Sequence, residues 1–259
     1  MKKTALILSI CSLFMLSACS TPEQRAFKKA TKEAQSGKVD AQIQLADMYL
    51  NAQGTEKNVQ EATRWYIQAA QQQDTRAFQW LRQQALQGNT QAATTMTQLI
   101  ERGNVHFAQW MLTLAEQGDS QAQYAAGWMY DTGKGLIKDK SKAQYWYQKA
   151  ADQGNVLAKQ VLGNMYYFNK IPSDDPETGI EYLKTAALEN KNNDAAVKVA
   201  HYYHYDVRDG QQALNWYRKS AELGDQHSQQ MVDTYEQWKN EGPLEIPTAE
   251  NSETDPSAE

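Results

Sequence analysis

Histidines and a glycine-flanked lysine are the first residues of this chain that suggest metal or phosphate chemistry. His201 and His204 stand three residues apart on a predicted helix, a spacing at which two imidazoles can share a metal ion. No third ligand at a suitable spacing accompanies them, so the pattern favours two surface histidines and no metal site. Gly133-Lys134-Gly135 is too short to indicate a phosphate loop, and its position favours a turn between two helices.

Other signatures of catalysis are missing from the sequence. It contains no Gly-x-Ser-x-Gly elbow, no His-Glu-x-x-His and no Walker-type loop. Asp174 and Asp175 are adjacent carboxylates, but a loop followed by a helix N-cap explains them better than acid–base catalysis does. We therefore predict no enzymatic activity, no catalytic residue and no cofactor.

The first eighteen residues have the composition of a secretory signal. Lys2 and Lys3 precede an apolar stretch from Ala5 to Leu16, which is too short for a comfortable membrane span. The motif that closes it, Leu16-Ser17-Ala18-Cys19, resembles the lipobox of bacterial lipoproteins. The resemblance implies that residues 1–18 are removed as a signal peptide and that Cys19 becomes the lipid-modified N-terminus. Several acyl chains on one residue anchor a protein stably without spanning the membrane.

Ser20, directly after this cysteine, implies outer-membrane sorting in a Gram-negative host. We expect a lipid-anchored protein of the outer membrane that faces the periplasm, with exposure at the cell surface left open. Cys11 and Cys19 are the only cysteines; the first leaves with the signal and the second carries lipid. The mature chain therefore has no thiol for a disulfide or a nucleophile.

Charge excludes a general affinity for polyanions. The chain has 26 basic and 31 acidic residues, and removal of Lys2 and Lys3 leaves 24 basic against 31 acidic, a formal charge of −7. An acidic protein of this kind has no general attraction to nucleic acid or to anionic lipid surfaces.

An internal repeat dominates the rest of the sequence. A set of glycine, alanine and aromatic positions recurs after 81 residues, and its aromatic and small-residue core recurs again near Tyr182 and Trp216. The first two copies are Gly54, Asn58, Ala62, Trp65, Tyr66, Ala69 and Ala70, and Gly135, Asp139, Ala143, Trp146, Tyr147, Ala150 and Ala151. Small residues allow close helix crossings, the aromatic residues fill the core, and the Asn or Asp before the second helix suits an N-cap.

These residues resemble the Sel1-like repeat, a relative of the tetratricopeptide repeat, over roughly residues 37 to 238. The unit Ala122 to Asn155 matches that pattern best. The resemblance implies an all-α fold, a right-handed α-solenoid of stacked helix-turn-helix repeats. We expect a lipidated tether at 19–24, the solenoid with a C-terminal capping helix at 25–239, and a disordered acidic tail at 240–259.

The repeat departs from its own spacing in its first half. Residues 89–117 predict a compact helix pair with a short connection at 102–104, which leaves residues 74–87 as one additional helix. Because each helix of a solenoid contacts mainly its neighbours, an unpaired helix is a candidate site for a bend in the superhelix. A repeat that has lost part of its pattern, with no functional consequence, also explains it.

A second departure suggests where a partner binds. Tyr167 and Phe168 have no core counterpart in the other units, and Tyr202 and Tyr205 flank one core tyrosine, Tyr203. Clustered exposed rings carry much of the binding energy at protein interfaces. We therefore predict that Tyr167, Phe168, Tyr202 and Tyr205 bind a partner.

The resemblance implies a scaffold or adaptor in the cell envelope that binds a protein or peptide and no nucleic acid. Two alternatives stay open at this point. One is a cell-wall module that binds peptidoglycan or interacts with β-lactams, as is suggested for relatives with a cysteine pair in every repeat, a pair that this chain lacks. The other is a surface-exposed factor that interacts with host molecules.

Overall fold

The computed structural model describes residues 20–168 and 176–241, and within these ranges the regular structure is entirely helical. The described residues form thirteen α-helices and one π-helix. Their bounds are α1 Pro22–Gln35, α2 Val39–Leu50, α3 Val59–Gln71, α4 Thr75–Leu86, α5 Thr90–Glu101, α6 Val105–Glu116, α7 Ser120–Thr132, α8 Lys140–Asp152, α9 Val156–Tyr167, α10 Pro176–Glu189, α11 Asn193–His201, the π-helix Tyr202–Val207, α12 Gly210–Glu222 and α13 Gln226–Glu241. The expected all-α class is confirmed.

Short polar residues start many of these helices, as the sequence predicts. Asn58 Oδ1 accepts a hydrogen bond of 3.0 Å from the backbone N of Glu61, and Asp209 Oδ1 accepts one of 2.9 Å from that of Gln212. Each bond satisfies an amide that has no partner inside its helix. α10 begins at Pro176 as expected, whereas Asp174 and Asp175 lie outside the described residues.

The N-terminal helix begins earlier than the sequence analysis places it. α1 starts at Pro22, inside the segment 19–24 that is predicted to be a tether. Thr21 and Gln24 form a reciprocal capping box, with hydrogen bonds of 3.1 Å and 3.0 Å between each side chain and the other residue's backbone N. Together with proline at the first helical position, this box starts the helix directly after Thr21. Residues 1–19, with the predicted signal and Cys19, lie outside the described part.

The predicted additional helix at 74–87 is present as α4. Asp74 caps it through the backbone amides of Arg76 and Ala77. The ring of Trp80 stacks on Tyr66 of α3, with centroids 4.1 Å apart. The compact pair at 89–117 is also confirmed, because α5 and α6 are joined by residues 102–104 alone. α4 is thus a packed member of the array.

The described chain divides into two compact units. The first holds residues up to 114 together with 129–140, and the second holds 115–128 together with the residues from 141 onward. In the first, Leu45, Ala69 and Ala70 are buried. In the second, the rings of Tyr147 and Tyr217 and the side chain of Leu183 are buried at equivalent repeat positions. The alanine and aromatic positions singled out in the sequence therefore build the core, as predicted.

The capping helix at the C-terminus is confirmed and extends to Glu241, two residues beyond the predicted boundary at 239. Val232 is buried against Ala213 and Tyr217, and Met231 and Tyr235 pack partly buried beside it. Glu236 faces water and pairs with Arg218 at 2.9 Å. The acidic tail from residue 242 lies outside the described residues, so its disorder stays a prediction.

Among the helices described here, none combines the length and the apolar character that crossing a membrane would require.

Candidate partner-binding surface

A π-helix shapes the aromatic segment of the second unit. α11 ends at His201 and continues as the π-helix Tyr202–Val207, which closes with Arg208 in the left-handed region at a φ of 60°. The backbone N of Asp209 donates to the carbonyl O of Tyr203 at 2.8 Å. A π-helix is wider than an α-helix, so its side chains leave the α-helical phase. Sequence reasoning missed it, since the segment carries no signal that separates it from an α-helix.

The four predicted binding residues fall into two classes. Phe168 and Tyr205 are exposed, at 54% and 63% of their surface. Tyr167 and Tyr202 are half-buried and pack against the core cluster that contains Leu183. Tyr203 is partly buried and packs against the same cluster. The expected exposure holds for Phe168 and Tyr205, whereas it is wrong for Tyr167 and Tyr202, because the core covers part of both rings.

Tyr167 and Phe168 are in ring contact, and Tyr167 lies within electrostatic range of Tyr205. Tyr167 and Phe168 meet edge to face with centroids 5.3 Å apart. Burial raises the pKa of Tyr167, and the negative charge of Asp206 raises it further. Burial likewise raises the pKa of Tyr202, to which Asp206 also contributes. The carboxylate of Asp206 therefore lies within electrostatic range of both phenols, although they stand 35 residues apart in the chain. We call Tyr167, Phe168, Tyr202 and Tyr205 the aromatic surface.

A lysine holds one of the exposed rings. Lys198 Nζ lies 5.1 Å from the centroid of Phe168, a distance at which the cation is attracted to the ring. The same ammonium donates to Asn164 Oδ1 at 2.8 Å and pairs with Asp194. The Lys198 side chain is only 12% exposed, so these contacts hold it in place. Phe168 is therefore exposed while Lys198 holds its ring in one orientation.

The two histidines lie within this aromatic cluster. His204 Nδ1 lies 2.7 Å from Tyr235 Oη, where one group donates according to the histidine tautomer. The ring of Tyr205 lies 4.4 Å from that of His204 and 5.7 Å from that of His201. Burial lowers the pKa of both histidines, which favours neutral imidazoles. In the part of the chain that the structure describes, no three His, Cys, Asp or Glu residues are placed to bind a metal.

Tyr217 lies beside the rings of His201 and His204 and was not singled out as a site residue in the sequence. Its side chain is fully buried, and its hydroxyl has no hydrogen-bond partner among the described residues. Burial raises its pKa, with further contributions from Tyr205 and Tyr235. The hydroxyl is thus a buried polar atom without a partner among the described residues.

The surface has an acidic rim. Asp194 and Asp206 are both exposed beside the rings, and Lys198 already pairs with the first of them. Aromatic faces and a free carboxylate attract apolar and cationic side chains. The arrangement can bind a protein segment.

Comparison with protein families identifies the repeats. The model of the Sel1 repeat matches residues 39–74, 72–89, 120–155, 158–191 and 193–225, which make up more than half of the chain. The match at 72–89 covers α4 and shows that the additional helix is itself a shortened copy of the repeat. No match was found among curated protein sequences.

Solved structures of similar proteins include two with repeats of this kind. One is a protective antigen present in uropathogenic Escherichia coli strains, described as displaying an SLR fold. The two sequences are 25% identical, the match covers 85% of this chain and 53% of that chain, and the TM-score is 0.49. The other is a Sel1 repeat protein from Oxalobacter formigenes, at 24% identity, with 82% and 70% covered and the same TM-score of 0.49. The chain spans about half the length of the first.

Proposed function

The chain belongs to the Sel1 repeat family, whose repeats are generally non-catalytic protein-interaction modules, and we propose that it is a lipid-anchored scaffold of the cell envelope. It binds a protein or peptide partner through the aromatic surface. The observation that carries this proposal is the exposure of Phe168 and Tyr205, whose rings contact those of Tyr167 and of His201 and His204 respectively. Rigid, oriented aromatic side chains give binding energy at a low cost in conformational entropy.

The structure also refines which residues to alter. Removing Tyr167 or Tyr202 would open the core beneath the surface, because both pack against the cluster around Leu183. Phe168 and Tyr205 are exposed, so their loss removes contact area with little effect on folding.

The proposed binding is tested by crosslinking in the living cell. A photoreactive phenylalanine derivative at position 205 is expected to form one dominant adduct with a protein, identifiable by mass spectrometry. The double variant Phe168→Ala/Tyr205→Ala is expected to weaken capture of that protein at least tenfold, since hot-spot aromatics contribute about 2 kcal/mol or more each.

Tyr145 supplies the matched control, because it is an exposed tyrosine of the same unit, at 54% of its surface. Tyr145→Ala should leave capture unchanged. Capture that survives the double variant, or that falls equally in the control, would reject the aromatic surface. A protein that pellets with purified cell-wall sacculi would instead indicate the cell-wall alternative.

Anchoring rests on the motif Leu16-Ser17-Ala18-Cys19, and its support is the sequence. We expect the unaltered protein to incorporate labelled fatty acid and to sediment with outer membranes. Cys19→Ala should abolish both the label and the sedimentation, because the acyl chains provide the attachment. A label retained by the variant would contradict lipidation at Cys19.

A further inference from the structure

Two loops of the first unit have similar backbone conformations. The loop after α2 has positive φ at Ala52 and Gly54, 55° and 70°, and the loop after α7 has positive φ at Gly133 and Gly135, 78° and 80°. Each loop is closed by a hydrogen bond from the capping residue to a tyrosine carbonyl. The bonds are Asn58 N to Tyr49 O at 3.0 Å and Asp139 N to Tyr130 O at 2.9 Å. The expected turn at Gly133-Lys134-Gly135 is thereby confirmed.

The side chains at the two loop tips differ in kind. The first loop carries Thr55 and Glu56, whereas the second carries Leu136 and Ile137 at the same positions. Ile137 is 91% exposed, and Val105 beside it is 63% exposed. The shared backbone does not require apolar residues here, because the first loop forms without them. An isoleucine exposed to this extent adds nothing to the core and is available for binding.

Cations surround these apolar side chains. Arg102, Lys134 and Lys138 line the same shallow concavity as Val105, Leu136 and Ile137, with Glu101 as the acidic residue of the lining. The chain as a whole is acidic, with a formal charge of −5, so this local excess of positive charge runs against its composition. We call these three cations and three apolar residues the basic loop surface.

We propose that the basic loop surface docks on a lipid bilayer that contains anionic headgroups. Lysine and arginine near such a surface each contribute roughly 1 kcal/mol, and apolar side chains that enter the headgroup region add to that attraction. The surface contains no aromatic residue, unlike the hot spots of protein interfaces. Charge and aliphatic composition together therefore favour a lipid occupant over a protein. The docking concerns the first unit and is separate from the aromatic surface.

Vesicle flotation tests the docking. The chain from residue 19 onward, without the apolar signal and with Cys19→Ser, is mixed with vesicles of phosphatidylcholine alone, or of phosphatidylcholine and phosphatidylglycerol at roughly 7:3. Without acyl chains, it is expected to float with the anionic vesicles and to bind the neutral ones at least tenfold less. Leu136→Thr/Ile137→Glu installs the residues of the first loop and should lower binding to anionic vesicles about tenfold or more. Because that backbone already accommodates Thr55 and Glu56, the variant is expected to keep its helical circular dichroism and melting temperature.

Two further variants separate the contributions. Leu86→Thr removes an exposed leucine elsewhere in the first unit, 58% exposed, and should bind like the unaltered chain. Arg102→Gln/Lys138→Gln should abolish the preference for anionic vesicles, which added salt should also weaken.

Equal flotation of the Leu136→Thr/Ile137→Glu variant and the unaltered chain would overturn the proposal. So would binding to a soluble polyglutamate peptide without binding to vesicles, which would assign the surface to an acidic protein. Either failure leaves the crosslinking at position 205 unaffected.

Discussion

Gln123 and Gln153 form an amide relay at the end of a helix in the second unit. Gln153 Nε2 donates to Gln123 Oε1 at 2.7 Å, and Gln123 Nε2 donates to the carbonyl O of Ala115 at 3.1 Å. Ala115 lies in the last turn of α6, where carbonyls lack partners inside the helix. Gln123 is 4% exposed, so the relay satisfies a buried acceptor that water does not reach.

The first unit contains the same relay 81 residues earlier. Gln72 Nε2 donates to Gln42 Oε1 at 2.8 Å, and Gln42 Nε2 donates to the carbonyl O of Ala34 at 3.3 Å. The repeat thus copies a buried polar contact as well as its apolar core.

We predict that Gln123→Leu destabilises the protein by about 1–2 kcal/mol. The change leaves the Ala115 carbonyl without this donor and removes the acceptor of Gln153. Urea denaturation followed by circular dichroism measures the effect. Gln121→Leu is the matched control, because Gln121 lies on the same helix and is exposed. Equal stability of the two variants would show that the relay contributes nothing.

We expect Gly127→Ala to lower the free energy of unfolding by about 1–3 kcal/mol, because the added methyl group overpacks the core. A Cβ at this position would lie 2.7 Å from Tyr147 Cδ1, and that ring is fully buried. The double variant with Tyr147→Leu should lose less than the sum of the two single variants, because removing the ring relieves the clash. Strict additivity in thermal unfolding would argue against the contact.

Asp209→Ala should destabilise the end of the π-helix and the start of α12. The carboxylate caps α12 through Gln212, and loss of such a cap costs about 1 kcal/mol. Asp206→Ala, three residues earlier, serves as the control, since the described residues include no hydrogen bond to its carboxylate. Hydrogen exchange should accelerate at the first amides of α12 in the first variant only.

Stability should fall as the pH drops below about 6.5, the ordinary pKa of histidine. Burial lowers the pKa of His201 and His204 in the folded state, so the unfolded chain binds protons more readily. The contribution of these two neutral histidines to folding stability is therefore complete above about pH 6.5. It decreases as the pH falls toward their lower pKa values in the folded state. Neighbouring His227 lowers the pKa of His201 further, whereas Asp225 raises it.

Melting temperatures measured at pH 7.5 and 5.5 test this dependence. His204→Gln should reduce the difference between the two pH values, while His106→Gln, at an exposed position on α6, should not. A pH dependence that is the same in both variants would contradict a contribution from His204.

Sequence alone determined the helical repeat and most of its register. The alanine and aromatic positions, the caps at Asn58 and Asp209 and the additional helix at 74–87 are local or periodic features, and each can be read from neighbouring residues. The start of α1 at Pro22 also has a sequence signal, the capping box of Thr21 and Gln24. The predicted tether at 19–24 was wrong because it did not take this signal into account.

Tertiary structure decided what each surface presents. Tyr167 and Phe168 are consecutive aromatics, yet the first packs against the core cluster that contains Leu183 and the second is exposed, because that cluster, later in the chain, covers one side only. The π-helix lies between α11 and α12, and the sequence of Tyr202–Val207 carries no signal that distinguishes it from an α-helix. Ile137 lies near Arg102 because the turn at residues 102–104 packs beside the loop that contains Gly135. The sequence alone does not show that these two segments are in contact.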